Sequence, residues 1–382
     1  MTDRYRPCAG GNIGARYERV EQGAGLRYGI IEVTTRCQLR CPGCYMVRRS
    51  ALNKGEMSFE QAVHILDLCK EYRGGRELET MDVLGGEPLL WSHLRQFVEE
   101  LIHRDILPWI FTNMVAITPE LARWLFNRRV NVTGKLNIAD PKDPVQAALQ
   151  AEMIGSTETM ANKMMGAIEI FLEAGYGGWE TQGDSFRLVF KLQNLVRKKN
   201  ISFVPGYMQY CYLRGIGIDL ELMGSGEAVG DEYFRVAPMA EELAEMVRSI
   251  VSARGRYSGR LCRVAPQFYD TESKLLMPHV FGSCPFYDKG LYFAVDGHIR
   301  ACSNSTVVLA HVTDEDPIRE AYESPLICRR KALTKDRVGE PCHSCDRWEK
   351  CRGGCRATVE GMGDPFGGYT LCPLPILRGS SE

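Results

Sequence analysis

Cys37, Cys41 and Cys44 stand at C-x3-C-x2-C spacing directly after the apolar run Gly29–Val33, and Tyr45 follows the last of them. Three thiolates this close together are able to ligate three corners of a 4Fe–4S cluster and leave the fourth iron open to a substrate or cofactor. The same spacing would also supply three ligands of a structural zinc site that draws its fourth from elsewhere. A second set follows late in the chain. Cys284 and Cys302 flank Val295-Asp296-Gly297-His298, a hairpin-turn signal. Cys342, Cys345, Cys351 and Cys355 then run at C-x2-C-x5-C-x3-C, and Cys372 closes the series. Here the competing chemistry is a zinc ribbon. The total of 15 cysteines would suggest disulfides in a small secreted domain, but in 382 residues without an apolar export signal the clustering points to metal.

The elements that must position these groups are legible in the hydrophobic pattern. Between Gly29 and about Arg254, strand-like runs alternate with amphipathic helical stretches. The strands expected are Gly29–Thr35, Leu78–Leu84, Pro108–Asn113, Val130–Ile138, Phe186–Gln193 and Ile218–Met223. Six strands, each followed by a helix, fit a parallel barrel or partial barrel with active groups at the strands' C-terminal ends. Gly85-Gly86-Glu87-Pro88 follows the second strand. Its glycines allow close backbone approach to a ligand and its carboxylate suits an ammonium group, although the sequence is also that of a turn. Ser58 with Gln61 forms a capping-box pattern, and Thr118 before Pro119 marks another helix start. Cys69 shares a helical face with Ile65 and Tyr72 and reads as a core thiol, as the Met153, Met160, Met164 and Met165 stretch reads as core. After about residue 255, cysteines, glycines and turns dominate, which marks a domain boundary.

The C-x3-C-x2-C motif and the Gly-Gly-Glu motif, in this order and each after a strand, resemble the radical S-adenosylmethionine (radical SAM) superfamily. The later cysteines resemble its SPASM extension, whose seven cysteines are all matched in order. The resemblance runs from Gly29 to Cys372 and implies an α/β fold: a partial parallel (β/α)6 barrel of radical SAM type followed by a small Cys-rich iron–sulfur SPASM domain. The expected segments are an arm at 1–28, the core at 29–255, a connector at 256–283, the auxiliary-cluster domain at 284–376 and a tail at 377–382. Three 4Fe–4S clusters are implied, one binding SAM and two auxiliary. Cys37, Cys41 and Cys44 would hold the first, Cys342, Cys345, Cys351 and Cys372 the outer auxiliary cluster, and Cys284, Cys302 and Cys355 the inner one. Relatives often place a fourth inner ligand a few residues upstream, whereas here the nearest candidate is Cys262, twenty-two residues before Cys284. Tyr45, Gly85, Gly86 and Glu87 fall at the SAM site, with Glu87 expected to meet the methionyl amine. Asn113, Lys135 and Asn137 fall where relatives contact SAM, and Gln193, Asn194 and Glu221 are candidates for the ribose hydroxyls. A polar strand-end residue bonding local backbone is the plain alternative for each of these.

The implied reaction is reductive cleavage of SAM to a 5′-deoxyadenosyl radical that takes a hydrogen atom from the substrate. Loss of an electron to an auxiliary cluster then gives oxidation or crosslinking, while hydrogen donation by a thiol gives epimerisation. Cys211 is the donor candidate, followed by Cys328 and Cys8. The substrate expected is a peptide or protein side chain, with a sugar or other small intermediate as the alternative; a non-catalytic electron-transfer protein is the reading of another class. Only 28 residues precede the first strand, too few for a leader-binding winged-helix domain. The partner implied is a one-electron reductant such as flavodoxin or ferredoxin. A net charge of −1 gives no electrostatic case for nucleic acid or an anionic membrane. The absence of a signal or membrane-length apolar run predicts a cytoplasmic protein.

Overall fold

The computed structural model describes residues 25–48, 54–177, 190–222, 231–256 and 289–379. Nine strands form one sheet: β1 (Tyr28–Thr34), β2 (Thr80–Gly85), β3 (Leu107–Phe111), β4 (Asn131–Lys135), β5 (Phe190–Val196), β6 (Gly217–Leu222), β7 (Gly290–Phe293), β8 (His298–Arg300) and β9 (Val308–His311). Their order is β6-β5-β4-β3-β2-β1-β7-β8-β9. The first six are parallel to their neighbours and sequential in space, the wall of the six-stranded partial barrel.

The two faces of the sheet differ in chemistry, as strand alternation requires. One row across it reads Phe293, Ile31, Val83, Ile110, Val132 and Phe190, all buried. This continuous apolar row belongs to the main core, shared with helices α1 (Phe59–Tyr72), α2 (Leu94–His103), α3 (Pro119–Asn127), α4 (Pro144–Met153) and α5 (Glu158–Glu173). The opposite face carries Glu32, Asp82, Trp109, Asn131, Thr133, Lys191 and Gln193, buried and polar. As the inner face of the partial barrel it is the concave one. Lys191 Nζ on β5 reaches over it to 4.9 Å from the ring centroid of Trp109 on β3. The same ammonium pairs with Asp219 on β6 at 2.8 Å, and Trp109 Nε1 donates to Thr133 Oγ1 at 2.6 Å.

Helix starts follow the sequence signals. Ser58 and Gln61 make the reciprocal capping box of α1, and the Thr118 side chain caps α3 with Pro119 in its first turn. Cys69 is fully buried on α1, and Met153, Met164 and Met165 are buried in the same core, with Met160 packed at its edge. Two strand ends differ from expectation by three residues. β5 runs to Val196, so Gln193 and Asn194 are mid-strand rather than strand-end residues. β4 stops at Lys135, because Asn137 turns its side-chain oxygen to the Leu195 N–H at 3.1 Å.

The cysteine-rich region is joined to the barrel rather than tethered beside it. β7 pairs parallel with β1, and β8 and β9 extend the sheet antiparallel from there. Gly297 sits in the β7–β8 turn with φ +83°, as its sequence suggested. Helix α7 (Pro317–Glu323) packs on α1, with Tyr322 stacked on Tyr72 at 5.7 Å.

The Lys191–Asp219 pair is buried on the concave face, so removing one partner strands the other charge. Lys191→Met alone is expected to cost about 3–5 kcal/mol. The double variant Lys191→Met/Asp219→Leu should recover much of that loss. Chemical denaturation of the three proteins checks this, and a double variant as unstable as the sum of the singles would contradict it.

Candidate active site

The loop after β1 is fastened on several sides around its first cysteine. Thr35 Oγ1 donates to Gly55 O and accepts from the N–H groups of Lys54 and Gly55, each at 2.8 Å. Arg40 N donates to Ile154 O at 3.2 Å. The end of β2 closes against it from below, with Gly86 N on Thr34 O and Glu87 N on Arg36 O, both at 2.7 Å. A Cβ at Gly85 would stand 2.3 Å from Thr34 O, and one at Gly86 2.3 Å from Arg36 O. Gly85 also has φ +152°. The glycines therefore answer first to the chain's own close approach, where the sequence suggested approach to a ligand.

Glu87 is likewise engaged by the chain itself. Its carboxylate is fully buried: Oε1 accepts from Thr112 Oγ1 at 2.6 Å and Leu89 N at 3.0 Å, and Oε2 from Asn113 N at 2.6 Å. Three of roughly four acceptor positions are thus taken by the protein itself. Burial raises its pKa to about 7, outweighing the three hydrogen bonds that favour the charged form. Asn113 passes the connection upward, since its Nδ2 lies 3.7 Å from Cys37 Sγ and 3.4 Å from Gln38 Oε1. Glu87 and Asn113 thereby tie the Gly-Gly-Glu turn to the first cysteine.

Cys37, Cys41 and Cys44 are half-buried and lie within electrostatic range of one another. Burial pushes the Cys37 thiol up to about 11 and Cys41 to about 12. Thiolate ligation at neutral pH must then come with proton release on metal binding. Cys37 Sγ already accepts from Leu39 N at 3.4 Å, a donor that favours the thiolate. Among the described residues no three His, Cys, Asp or Glu side chains are drawn in to the spacing of a single bound ion. Three thiols within electrostatic range of one another, with a backbone and an amide donor on Cys37 Sγ, are a donor set that fits an iron–sulfur cluster.

The other expected contacts divide. Lys135 is within electrostatic range of both Cys41 and Glu87 and shares a row with Gln193 and Asp219 on the concave face. Gln193 donates to Asp219 at 3.3 Å, and its Oε1 is buried with no partner. Glu221 is half-buried on the same face of β6. Tyr45 donates to Gly85 O at 3.4 Å and meets Tyr292 of β7 edge-on at 6.3 Å. Asn137 and Asn194 serve the fold instead: Asn200 Nδ2 bonds Asn137 O and Asn194 Oδ1, both at 3.0 Å. Cys211 lies on α6 (Val204–Leu213), fully buried in the apolar core with Leu192 and Ile218, and burial raises its pKa. The structure does not bring this thiol to the concave face. Sequence reasoning also missed Arg197, whose Nη2 donates to Pro42 O inside the cysteine loop, and Glu32, which bonds Tyr292.

In the C-terminal region, Cys342, Cys345, Cys351 and Cys372 line one cavity of about 210 Å³ together with Trp348 and Tyr369. Backbone N–H groups point at two of the sulfurs, Tyr369 N at Cys342 (3.3 Å) and Arg347 N at Cys345 (3.4 Å). Burial pushes Cys351 and Cys372 up to about 12. Cys302 and Cys355 form a separate pair within electrostatic range of each other. Cys8, Cys262 and Cys284 lie outside the described residues.

Residues 31–181 match the sequence model of the Radical SAM superfamily. That segment carries a radical SAM domain. It is 22% identical over 343 residues to the PqqA peptide cyclase of Granulibacter bethesdensis, covering 86% of this chain and 81% of that one. It is 23% identical to the mycofactocin maturase MftC of Mycobacterium tuberculosis, covering 92% and 83%. Among solved structures, anSMEcpe with bound AdoMet superposes with a TM-score of 0.69 at 15% identity, over 93% of this chain and 95% of that one. Streptococcus suis SuiB bound to its precursor peptide SuiA gives 0.64 at 14% identity, over 94% and 78%. These likenesses agree with the radical SAM fold of a parallel sheet whose strand ends carry the site.

Glu87→Gln turns an amide NH2 towards donors that need an acceptor. The loss of a charged hydrogen-bond acceptor is expected to cost about 2 kcal/mol. Denaturation of the metal-free chain checks it, and an unchanged midpoint would show that the carboxylate is not the tie described.

Proposed function

We propose that the chain is a radical SAM/SPASM peptide maturase that oxidises or crosslinks its substrate. The observation that carries this reading is the fastening of a three-cysteine loop to the Gly-Gly-Glu turn through Asn113 and Glu87. With a cluster and SAM bound, reduction supplies a 5′-deoxyadenosyl radical that abstracts a substrate hydrogen atom. Cys37, Cys41 and Cys44 would hold that cluster. Gly85, Gly86 and Tyr45 would shape the cradle for the methionyl end of SAM, with Glu87 fixing the turn instead of meeting the amine. Lys135 offers a cation to its carboxylate, and Gln193 and Glu221 offer polar groups to the ribose.

The C-terminal cysteines favour an oxidative outcome, because auxiliary clusters there would take up the substrate's electron. Cys342, Cys345, Cys351 and Cys372 would hold one, and Cys302 and Cys355, completed by Cys284 and Cys262, the other. Burial of Cys211 away from the concave face removes the leading hydrogen donor for epimerisation. A peptide substrate is favoured by the relatives, two of which are named for peptide or mycofactocin maturation and one of which was crystallised with a precursor peptide. The electron source would be a cytoplasmic one-electron donor such as flavodoxin or ferredoxin. None of the described helices is long and apolar enough to cross a membrane.

Anaerobic reconstitution should load about 12 iron atoms per chain, as three 4Fe–4S clusters. Replacing Cys342, Cys345, Cys351 and Cys372 with Ala should leave about eight. Zinc at these positions would remove the auxiliary-cluster assignment. With reductant, SAM and any short peptide encoded beside the gene, 5′-deoxyadenosine should form together with a peptide that has lost a pair of hydrogens. SAM cleavage without any change in such a peptide, but with oxidation of a sugar, would contradict the substrate class.

A further inference from the structure

Arg197, the first residue after β5, is a buried cation with an incomplete set of partners. It is 6% exposed. Its backbone N–H donates to Asn200 Oδ1 at 2.7 Å, and its Nη2 donates to the carbonyl of Pro42, between Cys41 and Cys44. Its Nε is buried with no hydrogen-bond partner. Among the described residues no carboxylate stands within ion-pair distance of it. The one carboxylate in its electrostatic range, Glu152, is bonded to Lys199. Its guanidinium is instead held inside the loop of Cys41 and Cys44, through Pro42, with both cysteines in its electrostatic range.

A guanidinium does not lose its proton in a protein, so burial cannot neutralise it. A buried charge without an opposite charge is costly, and native chains supply the counter-ion. A thiolate-ligated iron–sulfur cluster supplies one, because its net charge is negative and becomes more so when it takes up an electron. A fixed cation at that distance stabilises the reduced form more than the oxidised form and so raises the potential, one of the protein's recognised controls over such clusters.

We propose that Arg197 is the internal counter-ion of the cluster held by Cys37, Cys41 and Cys44, and that its charge sets how readily this cluster is reduced. The inference rests on the reading of that loop as a cluster site. Arg197 is a positioning residue: its bond to Pro42 holds the loop, and its charge acts on the cluster from outside the ligand set. Without it, the cluster would lie further below the reach of a flavodoxin-like donor.

The test is an EPR-monitored redox titration of the reconstituted full chain without SAM, on wild type, Arg197→Gln and Arg197→Lys. The signal followed is the one that SAM addition alters in the wild type. Arg197→Gln should keep its iron, but at the wild-type midpoint its reduced-to-oxidised ratio should fall about tenfold, which is 59 mV for one electron. Arg197→Lys should restore most of the shift. An unchanged midpoint in Arg197→Gln overturns the proposal, as does an equal shift in both variants, which would assign the effect to the fork geometry. If Arg197→Gln loses its iron, Arg197→Lys decides: retained iron with a near-wild-type midpoint supports the counter-ion, and loss in both overturns it. A wild type that loads no iron at Cys37, Cys41 and Cys44 would instead contradict the cluster assignment beneath the proposal.

Discussion

The end of β2 lies so close to the end of β1 that only glycine fits at two successive positions, and the geometry of the site depends on that approach. Gly86 N and Glu87 N reach the carbonyls of Thr34 and Arg36, and any side chain at Gly85 or Gly86 would collide with the same backbone. The approach fixes where the cysteine loop leaves the sheet. It also forces Glu87 inward, where burial would be prohibitive without donors, and Thr112, Leu89 and Asn113 provide them. Asn113 then reaches Cys37. Three strands and the first cysteine are thus linked by a few short bonds, which is the rigidity that a site must have to hold a reactive cofactor in place.

A second constraint is that one sheet serves both cysteine regions. Because β7 pairs with β1, the strand that launches the first cysteine loop also anchors the segment leading to Cys302. Tyr292 on β7 bonds Glu32 on β1 and packs against Tyr45 beside the loop. Electron traffic between the two regions would pass through a continuous packed structure instead of across a flexible joint. The polar concave face, with Lys191 paired to Asp219 and stacked on Trp109, lies below the row that carries Lys135 and Gln193.

Much of this was legible in the residues. Alternation of apolar runs placed five of the six parallel strands to within a few residues, and capping signals at Ser58 and Thr118 marked two helix starts. The cysteine spacings picked out groups that the fold also brings together, most plainly the four lining one C-terminal cavity. What escaped was whatever depends on long-range partners. Glu87 has the chemistry to meet an amine, and only the fold shows that three of its acceptor positions are taken by Thr112, Leu89 and Asn113. Asn194 points to Asn200 because β5 continues past it, which its neighbours' hydropathy did not reveal. Arg197 lies in a run of three cations, Arg197-Lys198-Lys199, that reads as a solvated surface, yet the turn after β5 buries the first of them. The β1–β7 pairing joins residues some 260 positions apart and leaves no local trace.

The central claim is that the loop of Cys37, Cys41 and Cys44 holds a cluster with one iron open to SAM. The most direct measurement is the EPR spectrum of the reduced, reconstituted protein before and after SAM is added, with a variant in which these three cysteines are Ala as the reference. The account predicts that SAM changes the g-values of one reduced-cluster signal and that this signal is missing from the variant. A spectrum that SAM leaves unchanged, or a SAM-sensitive signal that survives in the variant, would contradict it.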